Sequence, residues 1–218
     1  ALAMDKARCK EFVAAHGVRV PESVSLRKGE ALNRTSLPKG MLVVKPNAAG
    51  SSDGLSIVDS KSSDLPVAIS RAFELDDTIL LEQYIEGTEI TVGVLGNDNP
   101  EALPVVEILP KKGVFDREAK YVQGATEKIC PARLSVEITS EAQQMGLTCH
   151  TALGCRGMSR TDMIVTNTEP QQVYMLETNT IPGLTPTSLL PYAAKQVGLT
   201  FSLLLDKLID FALEGKTS

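Results

Sequence analysis

Hydrophobic positions recur along this chain with two different periods. Short apolar runs bounded by turn residues, at MLVVKP (41–46), LSIV (55–58), TILLEQYI (78–85), TEITVGVLG (88–96) and ALPVVEIL (102–109), predict strands. A further short strand is expected around Ser23 to Leu26, after the Val20-Pro21 turn. Helical spacing marks MDKARCKEFVAAHG (4–17), with Gly17 as its stop. It also marks SDLPVAISRAFEL (63–75), where Pro66 falls near the start and its missing N–H does no harm. Ser140 and Gln143 have the spacing of a capping box, which predicts a helix from there to about Leu153. Two closing helices follow from SLLPYAAKQVG (188–198) and FSLLLDKLIDFAL (201–213). Residues 110–127 are polar, contain glycine and lack a period, so they read as a long loop of the kind that forms lids. Strands and helices mix without a strict β-α-β rhythm, which predicts the α+β class and two lobes, 1–87 and 88–218, divided near the Glu86-Gly87 turn.

The most informative stretch is SRTDMIV (159–165) and VYMLETN (173–179), two strand patterns around the turn NTEPQQ. Side chains alternate faces along a strand, so Arg160 and Asp162 share one face, and so do Glu177 and Asn179. Paired as a hairpin, the strands bring all four together. Two acids facing each other on a half-buried sheet are destabilising unless something positive lies between them. Asp162, Glu177 and Asn179 are hard oxygen ligands suited to magnesium held jointly with substrate phosphates, or else the acids are neutralised by ion pairing with Arg160.

Composition narrows the partners. The chain has 218 residues, a net charge of -5 and no apolar run near the length of a membrane span, so a small substrate and a soluble, cytoplasmic protein are expected rather than a nucleic-acid or membrane partner. Cys9, Cys130, Cys149 and Cys155 lack metal-ligand spacing and read as buried free thiols. With only His16 and His150, catalysis must rest on other groups. Lys45 closes an apolar strand before the loop Gly50-Ser51-Ser52-Asp53-Gly54, which reads either as a phosphate cradle or as a plain surface hairpin. Glu82, Tyr84 and Glu89 read either as a nucleotide base and ribose site or as solvated acids on a strand edge. Lys120 and Tyr121 lie in REAKY, a lid over phosphates or an exposed charged loop.

In this order, ALAMDK, VVKPNAAGSSDG, LLEQYIEGTEITVGVLG, EAKY, ALGCRGMSRTDM and LETNTIPGLTPTSLLP resemble the ATP-grasp part of D-alanine-D-alanine ligases, over nearly the whole chain. The resemblance implies an ATP-grasp fold, two α+β lobes with nucleotide held between them, and ligation of two D-alanines through an acyl phosphate. Carried over by position, Lys6 and Lys45 resemble phosphate-contacting lysines, with Ser51 and Ser52 in the phosphate loop, and Glu82, Tyr84, Ile85 and Glu89 resemble the adenosine pocket. Asp162, Glu177 and Asn179 are similar to ligands of two Mg2+ ions, with Mn2+ as the substitute, and Arg160 and the Gly183 backbone to stabilisers of the tetrahedral intermediate. Ser188 and Leu189 resemble the anchor of the second substrate's carboxylate, Lys120 the lid lysine, and Tyr121 with Ser51 a lid latch.

The sequence also departs from the family pattern. Its lid is one residue shorter, Arg117 stands where an aromatic is common, and Ala48 and Ala49 replace a basic or polar pair. The family's N-terminal substrate domain is expected before ALAMDK, so the chain reads as a fragment, inactive alone, of a homodimeric enzyme. The alternatives are a ligase that joins D-alanine to D-lactate or D-serine, which Tyr121 argues against, and an ATP-binding module without turnover.

Overall fold

The computed structural model describes residues 2–49, 53–110 and 126–214. The chain forms two compact units, residues 1–12 with 20–86 and residues 13–19 with 87–218. In the first, β1 (Ser23–Arg27), β2 (Met41–Pro46), β3 (Ser56–Asp59) and β4 (Thr78–Gln83) form an antiparallel sheet in the order β1-β4-β2-β3. The alternation of Leu42 and Val44 on β2 and of Ile79 and Leu81 on β4 sends these side chains to one face. There they pack against Leu65, Ala68 and Ala72 of α2 (Leu65–Phe73). Val43, Lys45 and Glu82 fall on the other face, so the polar site of this unit lies opposite its apolar core.

α1 (Lys6–Ala14) follows a short 3-10 turn, Leu2–Met4, and the chain turns at Gly17 with φ +84°. In the second unit, β5 (Gly87–Gly96), β6 (Glu101–Ala102), β7 (Val106–Pro110), β8 (Thr126–Ile129), β9 (Gly157–Thr166) and β10 (Val173–Asn179) form a sheet in the order β10-β9-β5-β7-β8, with β6 paired to β5. α3 (Val136–Ala152) packs on one face, over Ile90, Val92 and Val94 and their partners on β9. The other face is covered at one end by α4 (Leu189–Gln196) and α5 (Phe201–Leu213), whose Leu190, Ala193, Ala194 and Leu204 enclose Leu95, Leu103 and Val106.

Three expectations are corrected. The run 102–109 is two strands rather than one, because Pro104 cannot donate to a ladder. Ser140 does not start a helix. Ser135 does, accepting from Ile138 N at 3.2 Å, and exposed Ser140 lies one turn inside α3. Residues 110, 126 and 127, read as loop, belong to strands, Pro110 to β7 and the other two to β8.

β10 breaks its own alternation. Val173 and Met175 are buried toward α3, and strict period two would send Glu177 after them. Instead Met175 pairs with Met163 and Glu177 with Asp162, leaving Leu176 without an opposite residue. This bulge turns Glu177 and Asn179 onto the face that carries Asp162 and Arg160.

His150 is buried in α3, with Nδ1 2.8 Å from Ser159 Oγ and Nε2 3.2 Å from the Gly96 carbonyl oxygen. A neutral ring protonated on Nε2 satisfies both partners. Burial lowers its pKa from 6.5, only partly offset by the Gly96 carbonyl. The unfolded chain therefore binds a proton below that value which the folded chain does not, so stability falls as pH drops below about 6.5. Denaturant titrations of the parent chain on either side of this value should show the loss, and His150→Gln should remove it. An equal loss in the variant would assign it elsewhere.

Candidate functional site

The centre of the second unit's open face is a two-row grid fixed by strand register. Thr91 on β5, Asp162 on β9 and Glu177 on β10 stand opposite one another in one row, and Gly93, Arg160 and Asn179 in the next. Glu89 lies on the same face of β5, opposite Ile164. Gly93 has no side chain, so Leu190 at the start of α4 reaches in; a Cβ there would lie 3.3 Å from Leu190 Cδ1. The four residues singled out in the hairpin do converge.

The Arg160 guanidinium grips Asp162 with two parallel hydrogen bonds, Nε to Oδ1 at 2.8 Å and a terminal nitrogen to Oδ2 at 2.7 Å. Burial opposes the Arg160 charge, but Asp162, Glu177 and Glu89 outweigh it and raise its pKa above the ordinary value. The cation between the acids is therefore Arg160 in this state, the ion-pair arrangement weighed above. The Thr91 hydroxyl donates to Asp162 Oδ1 at 2.6 Å, and the Asn179 amide donates to Oδ2 at 3.3 Å. Thr91 escaped the sequence reading. Its only signal was a hydroxyl between Ile90 and Val92, whose side chains are buried.

Among the described residues no three His, Cys, Asp or Glu groups stand close enough together to hold a metal ion. The donors present are two carboxylates and a carboxamide, a hard oxygen set that fits Mg2+ or Mn2+ when water and phosphate complete the shell, and does not fit zinc. Four hydrogen bonds reach the two Asp162 oxygens, so a metal must displace one of them. The longest is from Asn179, whose amide on rotation would present oxygen instead.

Further residues expected at a site sit close by. Gly183 follows β10, and a Cβ on it would lie 3.0 Å from Ser188 Oγ. Ser188 is the N-cap of α4, yet its hydroxyl accepts from Thr185 N at 3.1 Å and pairs with the Thr185 hydroxyl at 2.8 Å, rather than capping the helix. Leu189 is the first residue of α4.

In the first unit the structure brings Lys45 and Glu82 together at 3.2 Å, and it adds a residue that was not anticipated. Lys10 of α1 bonds the other Glu82 oxygen. Glu82 is buried in an inner strand, which rules out a solvated edge acid. Burial pushes its pKa up, but Lys45 and Lys10 outweigh that and the carboxyl is lowered. The Lys6 ammonium donates to the Ala49 carbonyl at 2.7 Å, at the start of the loop that carries Gly50. Tyr84 and Ile85 follow β4; Tyr84 N donates to Met41 O at 2.9 Å and Ile85 is buried. Ser51, Ser52, Lys120 and Tyr121 lie outside the described residues. The cysteines are free thiols, as read, but only Cys9 and Cys149 are buried, while Cys130 and Cys155 are half-buried; no described helix is long and apolar enough to cross a membrane.

Comparison with known proteins agrees in family and fold. The family described as D-ala D-ala ligase C-terminus matches residues 13–210. The D-alanine--D-alanine ligase of Syntrophobacter fumaroxidans is 46% identical over 222 residues, covering 98% of this chain and 69% of that protein. The crystal structure of the VanG D-Ala:D-Ser ligase from Enterococcus faecalis superposes with a TM-score of 0.83 at 36% identity, covering 97% of this chain and 62% of that one. The D-alanine--D-alanine ligase from Bacillus anthracis, solved with ATP, gives 0.81 at 32%, covering 97% and 66%. The chain thus spans about two thirds of the length of these relatives.

Proposed function

Because the chain belongs to the family of D-alanine-D-alanine ligase C-terminal domains, we propose that it is the ATP-grasp part of an ADP-forming ligase that joins two D-alanines for peptidoglycan precursors. The observation that carries this reading is the convergence of Arg160, Asp162, Glu177 and Asn179 on one sheet face. In the reaction, the carboxylate of the first D-alanine takes the γ-phosphoryl group of ATP and ADP leaves. The amine of the second attacks the acyl carbon, the C–N bond forms, phosphate departs with the C–O electrons, and the amine loses its proton.

Such chemistry needs cations around the moving phosphate and fixed donors at the developing oxyanion more than it needs an acid-base residue. Asp162, Glu177 and Asn179 would hold two Mg2+ ions, which neutralise phosphate charge when bound. Arg160, fixed by Asp162, aims its remaining N–H groups at the tetrahedral oxyanion together with the Gly183 backbone. Ser188 and Leu189, at the N-terminus of α4, receive the second carboxylate, where the helix dipole favours negative charge. Lys6, Lys45, Ser52 and Lys120 serve the phosphates, Ser51 and Tyr121 latch the lid, and Glu82, Tyr84, Ile85 and Glu89 hold adenosine. A cytoplasmic homodimer is part of the same reading.

The full-length protein, given ATP, Mg2+ and D-alanine, should release phosphate and form the dipeptide. Release that does not depend on D-alanine sinks the proposal. The likeness to a D-Ala:D-Ser ligase favours one variant, D-serine as second substrate. Mixed incubations with D-serine or D-lactate, resolved by product mass, decide between them.

A further inference from the structure

Lys6 and Lys10 stand one turn apart on α1 and point the same way, yet they meet different partners. Lys6 reaches the loop carbonyl of Ala49, while Lys10 reaches the Glu82 carboxylate on the sheet face opposite α2. Glu82 is thus held from two sides, Oε2 by Lys10 and Oε1 by Lys45. The three side chains differ in access. Lys10 and Glu82 are 3% and 2% exposed, while Lys45 is 12% exposed and closes β2 beside the loop that begins at Asn47.

We propose that Lys10 is the permanent counter-ion of Glu82, a positioning residue that keeps this carboxylate anionic and aimed after Lys45 turns to the nucleotide phosphates. The inference rests on the nucleotide reading given above. A Lys45 ammonium drawn onto phosphate oxygens gives up part or all of its hold on Glu82, because its charge is then shared with a stronger anion. If Lys45 were the sole partner, its departure would leave a buried carboxylate without a cation, and such a group takes up a proton instead. A protonated Glu82 would offer an O–H where the base presents an amino group. With Lys10 fixed beneath it, Glu82 stays an acceptor. The labour is then divided between a lysine that stays and a lysine that moves.

An anionic acceptor selects a base with an exocyclic amine over one with a carbonyl at the same position. ATP and ITP differ at that atom. Calorimetry on the full-length protein, with nonhydrolysable analogues of both, should show the wild type preferring the adenine nucleotide. Lys10→Met should weaken adenine binding about tenfold or more, roughly the loss of one charge-assisted hydrogen bond, and should collapse the adenine-to-inosine ratio. Lys10→Arg should retain most of that ratio. A lysine with a purely structural role would lower Tm and leave the ratio unchanged, which overturns the proposal.

If Lys10→Met does not fold, the neutral pair Lys10→Met with Glu82→Gln takes its place. Glu82→Gln alone should already abolish the ratio, and adding Lys10→Met should change nothing more. Additive losses overturn the proposal. A wild type that binds neither analogue overturns the nucleotide reading and the inference together, whereas binding with an unaltered Lys10→Met ratio overturns only the inference.

Discussion

Asp162→Asn in the full-length protein is expected to lower turnover at least about 100-fold while leaving the chain folded. The carboxylate accepts from Arg160 twice, from Thr91 and from Asn179, and the amide that replaces it must turn an N–H2 toward some of those donors. Arg160 then loses the charge that fixes it, in a site where its side chain is only 18% exposed. Removing one partner of a largely enclosed ion pair costs about 3–5 kcal/mol. At about 1.4 kcal/mol per factor of ten, placing that loss on the proposed oxyanion donor gives roughly 100- to 4000-fold. Steady-state assay of phosphate release checks it, with circular dichroism to confirm folding. A variant within about tenfold of wild type, a loss of under 1.4 kcal/mol, would remove Asp162 from the centre of the mechanism.

Gly87→Ala is expected to cost about 3 kcal/mol or more, lowering Tm by roughly 6–12 °C. A Cβ on Gly87 would lie 2.0 Å from the Val165 carbonyl oxygen and 2.7 Å from Ile164 Cγ2. The first of these contacts is with backbone, which cannot swing aside, so β5 must part from β9 where Gly87 pairs with Thr166. That ladder also sets Thr91 against Asp162, so binding of Mn2+, read by its paramagnetic resonance, should weaken as well. A Tm within about 2 °C of the parent's would show that the strand end yields more easily than its geometry implies.

The sequence made each half of the hairpin legible because its signal is local: Arg160 with Asp162, and Glu177 with Asn179, are each two residues apart and share a face, whereas the bulge at Leu176 that brings the two pairs onto the same face had no such local sign. The strand 41–46 was legible for the same reason, an apolar run with a charged end. Lys10 was not. A lysine in a helix ordinarily faces water, and what buries this one is Glu82, 72 residues away in sequence. Thr91 was hidden similarly, since its meaning comes from the register of β5 on β9. The start of α3 was misplaced because Ser135 and Ser140 both offer a cap, and the helix extends to the earlier one.

The bulge at Leu176 makes the chemistry a matter of parity. Losing or gaining one residue between Met175 and Glu177 would turn Glu177 and Asn179 away from Asp162 and put apolar neighbours in their place, although every side chain would still be in the sequence. A change of two would keep the sense of the strand. Substitutions can drift along β10, but its count of residues is constrained to odd or even, a restriction that no alignment column for a single residue would display.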